Sequence, residues 1–209
     1  MSIKYLNNKK RFNIDSYGKY FCDKRINGLF FEKKIRFTPP NEFNDPLELK
    51  PILKGNNLHD FYIHLDGTYP SKASMIIKGI IGVLSEKYGV LSLTKVPDSF
   101  YMWSMYANGH RGFFVVFKDD FNLQESLIDG DYHYPIKKVN YSNNYYLNIN
   151  VDYVDLNYAD DLLRSNFDKI VFTKLKRWCY EKEYRMARPL KNVENKFERS
   201  LFDFDPTYI

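Results

Sequence analysis

The chain has 209 residues, of which 44% are hydrophobic and 27% charged, and its formal net charge is +5. This composition is typical of a globular protein and excludes a wholly disordered chain. The mild positive charge fits an anionic ligand or nucleic acid but requires neither. The length suits one domain over residues 1–209. Within it, we interpret 1–13 as an N-terminal arm or edge strand and 194–209 as a docked C-terminal tail.

Neither a membrane segment nor a disulfide framework is predicted. The longest apolar stretch, at 75–84, contains Lys78 and two glycines and is too short to cross a bilayer. The first residues are polar and basic, unlike a signal peptide, so we expect a cytoplasmic protein with no membrane partner. Cys22 and Cys179 lie far apart in the sequence, and we expect both to be reduced thiols.

The N-terminal part predicts a helix, a short strand and a rigid loop. The helix is expected to begin at Asp15 or Ser16 and to continue through Lys24. Residues 35–38 predict a short strand, which two prolines end because proline cannot donate to the strand ladder. The Asn- and Asp-rich run that follows predicts a polar loop around one buried aromatic residue, Phe43.

Residues 89–117 predict a strand, a helix and a second strand. Alternation in the first strand places Ser92 and Thr94 on the same polar face. The helix is expected to begin at Asp98, which would act as its N-cap. The continuous apolar run at 113–117 predicts a central strand of the sheet.

Two long helices are also predicted. The first begins at Ser71 and has an apolar stripe that should face the core. That stripe consists of Met75, Ile76, Ile80, Val83 and Leu84. The second helix is expected to begin at Asn157 or Asp160 and to run to Trp178, and a strand over 180–187 follows it directly.

Charged residues are concentrated in this last strand. Residues two apart in a strand share a face, so Glu181, Glu183 and Arg185 are expected to lie side by side. Neighbouring carboxylates push their pKa values apart, and a guanidinium keeps one of them ionised, which is useful in a cleft. The alternative is a solvated edge strand with an ion pair on its face.

Together these elements predict an α+β fold, with twisted mixed sheets of short strands flanked by helices. A phosphate-binding glycine loop, an HExxH helix and a GxSxG elbow are all absent from the sequence. The composition and these absences leave the reaction class open.

Four motifs resemble a widespread family of uncharacterised bacterial proteins. They are FNDP at 43–46, SLT at 92–94, MWxxYAxxHxG at 102–112 and WxYExEYR at 178–185. The resemblance covers roughly residues 25–190, and it is specific because four motifs occur in order. The family is known as a domain of unknown function sometimes found near phage-defence and toxin genes, which implies an antitoxin or a defence-system partner.

A second resemblance, to the ADP-ribosyltransferase fold, supplies a chemistry. It implies that Glu183 is the catalytic glutamate, which holds the nicotinamide-side ribose of NAD, and that Glu181 is its partner. Ser92 and Thr94 would form the supporting middle motif. Cleavage of the nicotinamide bond passes through an oxocarbenium-like state, so a carboxylate aimed at the ribose stabilises the developing positive charge.

The same resemblance implies residues that bind NAD as a cofactor. Arg36 lies on the strand expected to contact the phosphates, and Arg11 is an equal candidate. Trp103 and Tyr106 are candidates for stacking on nicotinamide or adenine. The remaining candidates for the cofactor site are Asn44, Thr94, His110 and Arg185.

The expected function is therefore an NAD-dependent ADP-ribosyltransferase that acts as a bacterial toxin or phage-defence effector and modifies nucleic acid or protein. One alternative is a non-catalytic nucleic-acid-binding or sensor module, in which His110, Arg111 and aromatic residues grip RNA. Another is a metal-dependent nuclease that uses Asp45 together with Glu181 and Glu183.

Overall fold

The computed structural model describes residues 16–25, 27–45, 47–55, 72–117, 134–143, 146–149 and 158–203. The predicted N-terminal arm and residues 204–209 of the predicted tail lie outside these ranges. Helices and strands are both abundant among the described residues, which confirms the α+β class.

The described elements are mostly short. The strands are β1 (Gly18–Phe21), β2 (Lys34–Arg36), β3 (Ile52–Gly55), β4 (Tyr88–Thr94), β5 (Phe113–Val116), β6 (Tyr134–Lys138), β7 (Asn140–Tyr141), β8 (Tyr146–Ile149), β9 (Thr173–Lys174), β10 (Glu183–Pro189) and β11 (Leu201–Asp203). The α-helices are α1 (Lys72–Lys87), α2 (Phe100–Tyr106) and α3 (Tyr158–Val171). The short 3-10 and π-helical segments are Asp23–Arg25, Asn27–Phe31, Pro40–Glu42, Lys176–Glu181 and Glu198–Ser200.

Five strands form the main sheet in the order β5-β1-β4-β10-β6, and all of its described pairs are antiparallel. Three two-stranded sheets accompany it. The pair β2 and β11 is antiparallel, whereas β3 with β8 and β7 with β9 are parallel. Parallel and antiparallel pairing therefore both occur, but in different sheets.

The ladder between β4 and β10 positions the candidate site. Side chains alternate between the two faces of a sheet, so directly paired residues share a face. On one face, the successive pairs are Val90↔Ala187, Ser92↔Arg185 and Thr94↔Glu183. This face is thus apolar at one end, which we call the helix-covered end, and charged at the other, which we call the polar end.

Helices α1 and α3 pack against each other over the helix-covered end. With Val90 and Ala187 they form a core whose helical members are Ile76, Ile77, Ile80, Leu84, Leu162, Leu163, Phe167, Ile170 and Val171. The predicted stripe of the first helix is wrong at Met75, which is 62% exposed. Successive helical residues are about 100° apart, so Met75 falls beside the buried stripe that Ile76 begins.

A second core fills the opposite face of the sheet. Its buried members include Leu91 and Leu93 of β4, Met186 of β10, and Phe37 and Phe202 from outside the main sheet. In the predicted tail, β11 pairs with β2 and brings Phe202 into this core. A Cβ on residue 89 would lie 2.6 Å from the Phe37 carbonyl oxygen, so glycine is needed there for the close approach.

The helix predicted after Asp15 or Ser16 is wrong, because that segment forms β1 instead. Cross-strand aromatic contacts outweigh the local signal. The rings of Tyr20 and Phe114 lie 4.6 Å apart, and those of Phe21 and Phe113 lie 5.4 Å apart. The neighbouring strand β5 is outermost in the described sheet, so its predicted central position is also wrong. Its apolar run is explained by packing into the second core, where Val115 is buried.

Two predicted boundaries also change. Ser99, rather than Asp98, caps α2, because the Ser99 hydroxyl accepts a hydrogen bond from the backbone N–H of Met102 at 3.4 Å. The helix predicted to reach Trp178 ends at Val171. Within it, Asn166 has non-helical backbone angles and kinks the helix. The Asn166 side chain donates to a carbonyl of the preceding turn, as Asn does when it competes with helical hydrogen bonds.

None of the helices among the described residues has both the length and the apolar character needed to cross a membrane.

Candidate active site

A cavity of about 440 Å³ opens above the polar end of the ladder. Its lining residues come from β1, β2, β4, α2, β9, β10, the Lys176–Glu181 segment before β10, and the stretch 38–48 that contains the FNDP motif. The predicted site residues that line it are Arg36, Asn44, Ser92, Thr94, Tyr106, Glu181 and Glu183. Cavities of about 300–1,000 Å³ are typical of small-molecule sites, so this one is large enough for a ligand.

Glu183 lies at the floor of the cavity and is only 4% exposed. The Arg185 guanidinium donates to both of its carboxylate oxygens, from Nε at 2.8 Å and from Nη2 at 3.1 Å. The backbone N–H of Glu183 donates to the hydroxyl of Tyr141 at 2.8 Å. These contacts hold the carboxylate in one orientation beneath the cavity.

Glu181 reaches the same place by a different route from the one predicted. The strand does not begin at residue 180. Residues 176–181 form a 3-10 turn, Lys182 adopts a left-handed conformation with φ of 44°, and β10 begins at Glu183. The Thr94 hydroxyl donates to the Glu181 carbonyl at 2.6 Å and thereby fixes the turn to β4.

Lys174, on β9, connects the carboxylates of the site. Its ammonium lies 2.6 Å from Glu181 Oε2, 3.0 Å from Glu183 Oε2 and 3.3 Å from Glu48 Oε1. Glu48 is also bonded to the Arg185 guanidinium. All five side chains are at least nine-tenths buried. Three carboxylates therefore face two cations, and this charge cluster has one negative charge in excess when all are ionised.

The charge cluster separates the pKa values of two of its acids. Burial alone would raise the pKa of Glu183, but the charges of Arg185 and Lys174 outweigh burial and lower it to about 2. Burial raises the pKa of Glu48, and the nearby Glu183 charge adds to that effect. Such a separation is common where carboxylates have different chemical roles. At neutral pH, Glu183 is a stable carboxylate.

Two tyrosines contact these acids. The Tyr106 hydroxyl, from α2, donates to Glu181 Oε1 at 2.6 Å, and burial together with the Glu181 charge raises its pKa. Burial also raises the pKa of Tyr141 to about 12. Both phenols therefore remain protonated at neutral pH and serve as hydrogen-bonding groups.

Ser92 and Lys19 complete the wall beside Glu183. The Ser92 hydroxyl contributes a hydrogen bond that helps to lower the Glu183 pKa. The Lys19 ammonium donates to the Ser92 carbonyl at 2.9 Å, which uses one of its three donors. Burial lowers the pKa of Lys19 to about 8, so Lys19 is still mostly protonated and positively charged at pH 7.

The FNDP motif is tied to the WxYExEYR motif. Asp45 Oδ2 accepts a hydrogen bond from the Trp178 indole N–H at 2.7 Å, and Arg177 lies 3.3 Å from the same oxygen. Asn44 and Phe43 beside it line the cavity. Pro46 lies outside the described residues. The two motifs thus meet at one wall, where Asp45 has a positioning role for the turn that carries Glu181.

The MWxxYAxxHxG motif mainly positions Tyr106. A Cβ at residue 112 would lie 2.0 Å from the Phe21 carbonyl oxygen, so only glycine lets this segment meet β1. Ala107 is fully buried against the same place, and its carbonyl accepts the Gly112 N–H at 2.8 Å. The motif therefore fixes the end of α2 against the sheet.

Several predicted cofactor contacts lie away from the cavity lining. Trp103 donates from its indole to the Pro97 carbonyl at 2.8 Å and packs against Tyr20, so it supports α2. His110 is exposed and its ring lies 4.7 Å from that of Phe100. Arg185 lies behind Glu183 with no exposed surface.

The two arginines proposed for phosphate contact differ in their position. Arg36 lines the cavity, but its guanidinium already pairs with Glu42 and donates to the Ser200 hydroxyl at 3.1 Å. A phosphate would therefore have to compete with Glu42 for this side chain. Arg11 lies outside the described residues.

Sequence reasoning missed Glu48, Lys174 and Lys19. Glu48 follows the FNDP motif by two positions, which is a usable signal because the motif already marked that loop. Lys174 lies in a two-residue strand that no pattern predicted, and Lys19 lies in the segment predicted as a helix. Among the described residues, no three His, Cys, Asp or Glu side chains are arranged to hold a metal ion.

Comparisons with known proteins match part of the chain to a protein family. No curated protein and no solved structure matches the chain. Residues 102–186 match the model of a family described as a protein of unknown function, DUF2971. This matched segment includes Tyr106, Lys174, Glu181, Glu183 and Arg185, whereas Ser92 and Glu48 precede it.

Proposed function

We propose that this protein is an ADP-ribosyltransferase, which cleaves the bond between nicotinamide and ribose in NAD and passes the ADP-ribose to an acceptor. The observation that carries the proposal is the ionised Glu183 carboxylate, fixed at the floor of the cavity with Glu181, Ser92 and Tyr106 around it. The proposal includes an ADP-ribosyltransferase-like arrangement of the sheet, with Glu183 on a strand paired to the Ser92 strand.

The acids that line the cavity support this reaction. The nicotinamide ring of NAD carries a positive charge, and positive charge develops on the ribose as the bond breaks. Glu181 and Glu183 both line the cavity and place negative charge beside a cation bound there, while Lys19, which is mostly charged at pH 7, brings the whole site close to neutral. These charges are buried and held by hydrogen bonds, and they act without reorganisation when the bond breaks.

The lining of the cavity fits the rest of NAD. Met102, Met105 and Trp178 supply apolar surface for an aromatic ring. Lys19 and Arg36 supply positive charge for the two phosphates. The lining therefore contains apolar, anionic and cationic groups, which are the three kinds of contact that NAD requires.

The residues have distinct roles in the proposed reaction. Glu183 stabilises the ribose as the electron pair of the broken bond leaves with nicotinamide. An oxygen or nitrogen of the acceptor then bonds to C1′ of the ribose, and the acceptor proton is released to solvent. Lys174 and Arg185 keep Glu183 ionised, and Tyr106 orients Glu181 beside it.

The test is nicotinamide release from NAD by the purified protein, measured by chromatography. We expect Glu183→Gln to lower the rate at least about 100-fold, because a transition-state contact is lost. Tyr106→Phe, which removes a single oxygen, should lower the rate about tenfold. Glu86→Gln is the matched control, since Glu86 is an exposed acid paired with Arg199 outside the cavity.

Cooperative urea unfolding must be shown for each variant. A folded Glu183→Gln protein that releases nicotinamide as fast as the wild type would contradict the assignment.

A further inference from the structure

An exposed row of aromatic side chains lies beside the mouth of the cavity. Phe100 is 71% exposed, Tyr101 69% and Met105 49%. These are three of the seven large hydrophobic residues that are exposed in the described part of the chain, and all three lie on the seven-residue helix α2. Such clustering on a protein surface is typical of a binding site.

The row is continuous and crosses from α2 to the turn before β10. Ring centroids lie 4.7 Å apart for His110 and Phe100, 6.2 Å for Phe100 and Tyr101, and 6.0 Å for Tyr101 and Tyr180. Tyr180 and Trp178 are also 6.0 Å apart. We call these five side chains the aromatic ridge. Because Trp178 lines the cavity, the ridge leads into the site.

The charges around the aromatic ridge are mostly positive. Its two segments, residues 98–112 and 176–182, carry four basic residues, Lys176, Arg177, Lys182 and Arg111, all of them exposed. They carry two acids, of which Asp98 is exposed and Glu181 is buried in the charge cluster. Arg177 is also paired with Asp45, which leaves Lys176, Lys182 and Arg111 as the main source of positive charge. A partner that covers the ridge should therefore combine flat aromatic groups with negative charge.

We infer that the aromatic ridge binds a single-stranded nucleic acid and directs it into the cavity. Bases stack on exposed aromatic rings, and phosphates are attracted to the surrounding cations. A second copy of this chain would bring the same positive charges face to face, which disfavours dimerisation here. A duplex would keep its bases stacked on one another and leave the rings uncovered.

The inference also concerns the acceptor. If the proposed function holds, a strand on the ridge places a base or sugar at the cavity that Trp178 lines, so the acceptor class is nucleic acid rather than protein. This step rests on the proposed function, whereas binding to the ridge does not.

The experiment measures binding without NAD. Fluorescent single strands of RNA or DNA, about 12 nucleotides long, would be titrated with the full chain and followed by anisotropy. Duplex DNA and an acidic peptide of similar charge serve as competitors. We expect Phe100→Ala and Tyr101→Ala each to weaken single-strand binding about tenfold, as loss of one stacked base predicts. Phe31→Ala is the matched control, because Phe31 is 77% exposed on another segment.

The ionic part of the interaction has its own variant. Arg111→Gln should weaken binding to all sequences equally and make it less dependent on salt between roughly 50 and 200 mM. A stronger response to RNA than to DNA, or the reverse, would identify the natural strand, and either result supports the inference.

The inference would be overturned by acidic-peptide binding as tight as oligonucleotide binding, by equal weakening through Phe31→Ala, or by self-association that Tyr101→Ala abolishes. The proposed function fails separately, if oligonucleotides bind through the ridge but nicotinamide is never released. Nicotinamide release without oligonucleotide binding would instead remove only the present inference.

Discussion

The two ends of the β4–β10 face have the same backbone pairing but opposite environments. At the helix-covered end, Val90 and Ala187 are buried under α1 and α3. At the polar end, Arg185 and Glu183 occupy the next two positions of β10 on the same face. They are buried equally deeply but carry full charges. Burial of apolar groups favours folding, whereas burial of charges is costly unless they are paired. The polar end is therefore better explained by a role in the cavity than by stability.

The largest expected effect is at the polar end. Arg185→Ala leaves the Glu183 and Glu48 carboxylates without their guanidinium partner. We expect a loss of about 3–5 kcal/mol in the free energy of unfolding, measured by urea denaturation.

The partner variant separates charge from packing. Arg185→Met combined with Glu183→Gln and Glu48→Gln should recover at least half of that loss, because no unpaired charge remains. If this triple variant is as unstable as Arg185→Ala alone, the polar end contributes through shape rather than through its ions.

A comparable but slightly smaller loss is expected at the helix-covered end. Ile80, on α1, is fully buried in the core that α1 and α3 form. Ile80→Ala should lower the free energy of unfolding by about 2–5 kcal/mol without any dependence on pH. Met75→Ala on the same helix should change stability by less than about 0.5 kcal/mol, since Met75 is exposed. Equal losses for the two variants would contradict the assigned buried face of α1.

The pH dependence should differ between two acids of the polar end. The folded pKa of Glu183 is lowered from 4.5 to about 2, so its contribution to stability is present above pH 4.5 and is lost as pH falls towards 2. The folded pKa of Glu48 is raised above 4.5, so its ionisation in the folded state reduces stability as pH rises above that value.

This difference predicts that at pH 7 Glu183→Gln lowers the free energy of unfolding more than Glu48→Gln does, by a margin on the order of 1 kcal/mol. Urea midpoints of both variants and the wild type from about pH 3 to pH 8 would test it. The difference in stability between the two variants should become smaller as the pH falls. If Glu48→Gln were the less stable variant at pH 7, the pKa shifts assigned to the two carboxylates would be contradicted.

A small effect is expected for an exposed ion pair. Lys87 of α1 and Asp160 of α3 lie 2.7 Å apart near the helix-covered end, and the Lys87 side chain is 47% exposed. Water already solvates such groups, so Lys87→Ala should cost less than about 1 kcal/mol, and less at high salt. A loss as large as that for Arg185→Ala would remove the contrast between buried and exposed charges.

The sequence predicted the class of the fold and several elements because their patterns are local. The alternating residues of β4 and the apolar stripe of α1 depend on neighbours within one turn or strand. The order of strands was not predictable, since it depends on pairing between distant segments. Thus β1 was mistaken for a helix, and β5 was placed at the centre of the sheet rather than at its edge.

The candidate site was predicted in part for the same reason. Motif residues such as Ser92, Tyr106 and Glu183 could be named, and the structure brings them to one cavity. Lys174 could not be found, because its importance comes only from contacts across the fold. Glu48 was missed although it follows the FNDP motif by two positions. Trp103 belongs to the same motif as Tyr106, and the sequence alone does not distinguish its packing role from a role in binding.

The pairing of β4 with β10 also has a consequence for how the chain folds. The Thr94 hydroxyl bonds to the carbonyl of a residue 87 positions further along the chain. Contacts of such high sequence separation slow folding, because a long loop must close before they form. During synthesis β4 leaves the ribosome long before its partner, and the acids of the site acquire both of their cations only after Arg185 has emerged. A fragment limited to the matched residues 102–186 would lack Glu48, Ser92 and Thr94, and we expect it not to assemble the site.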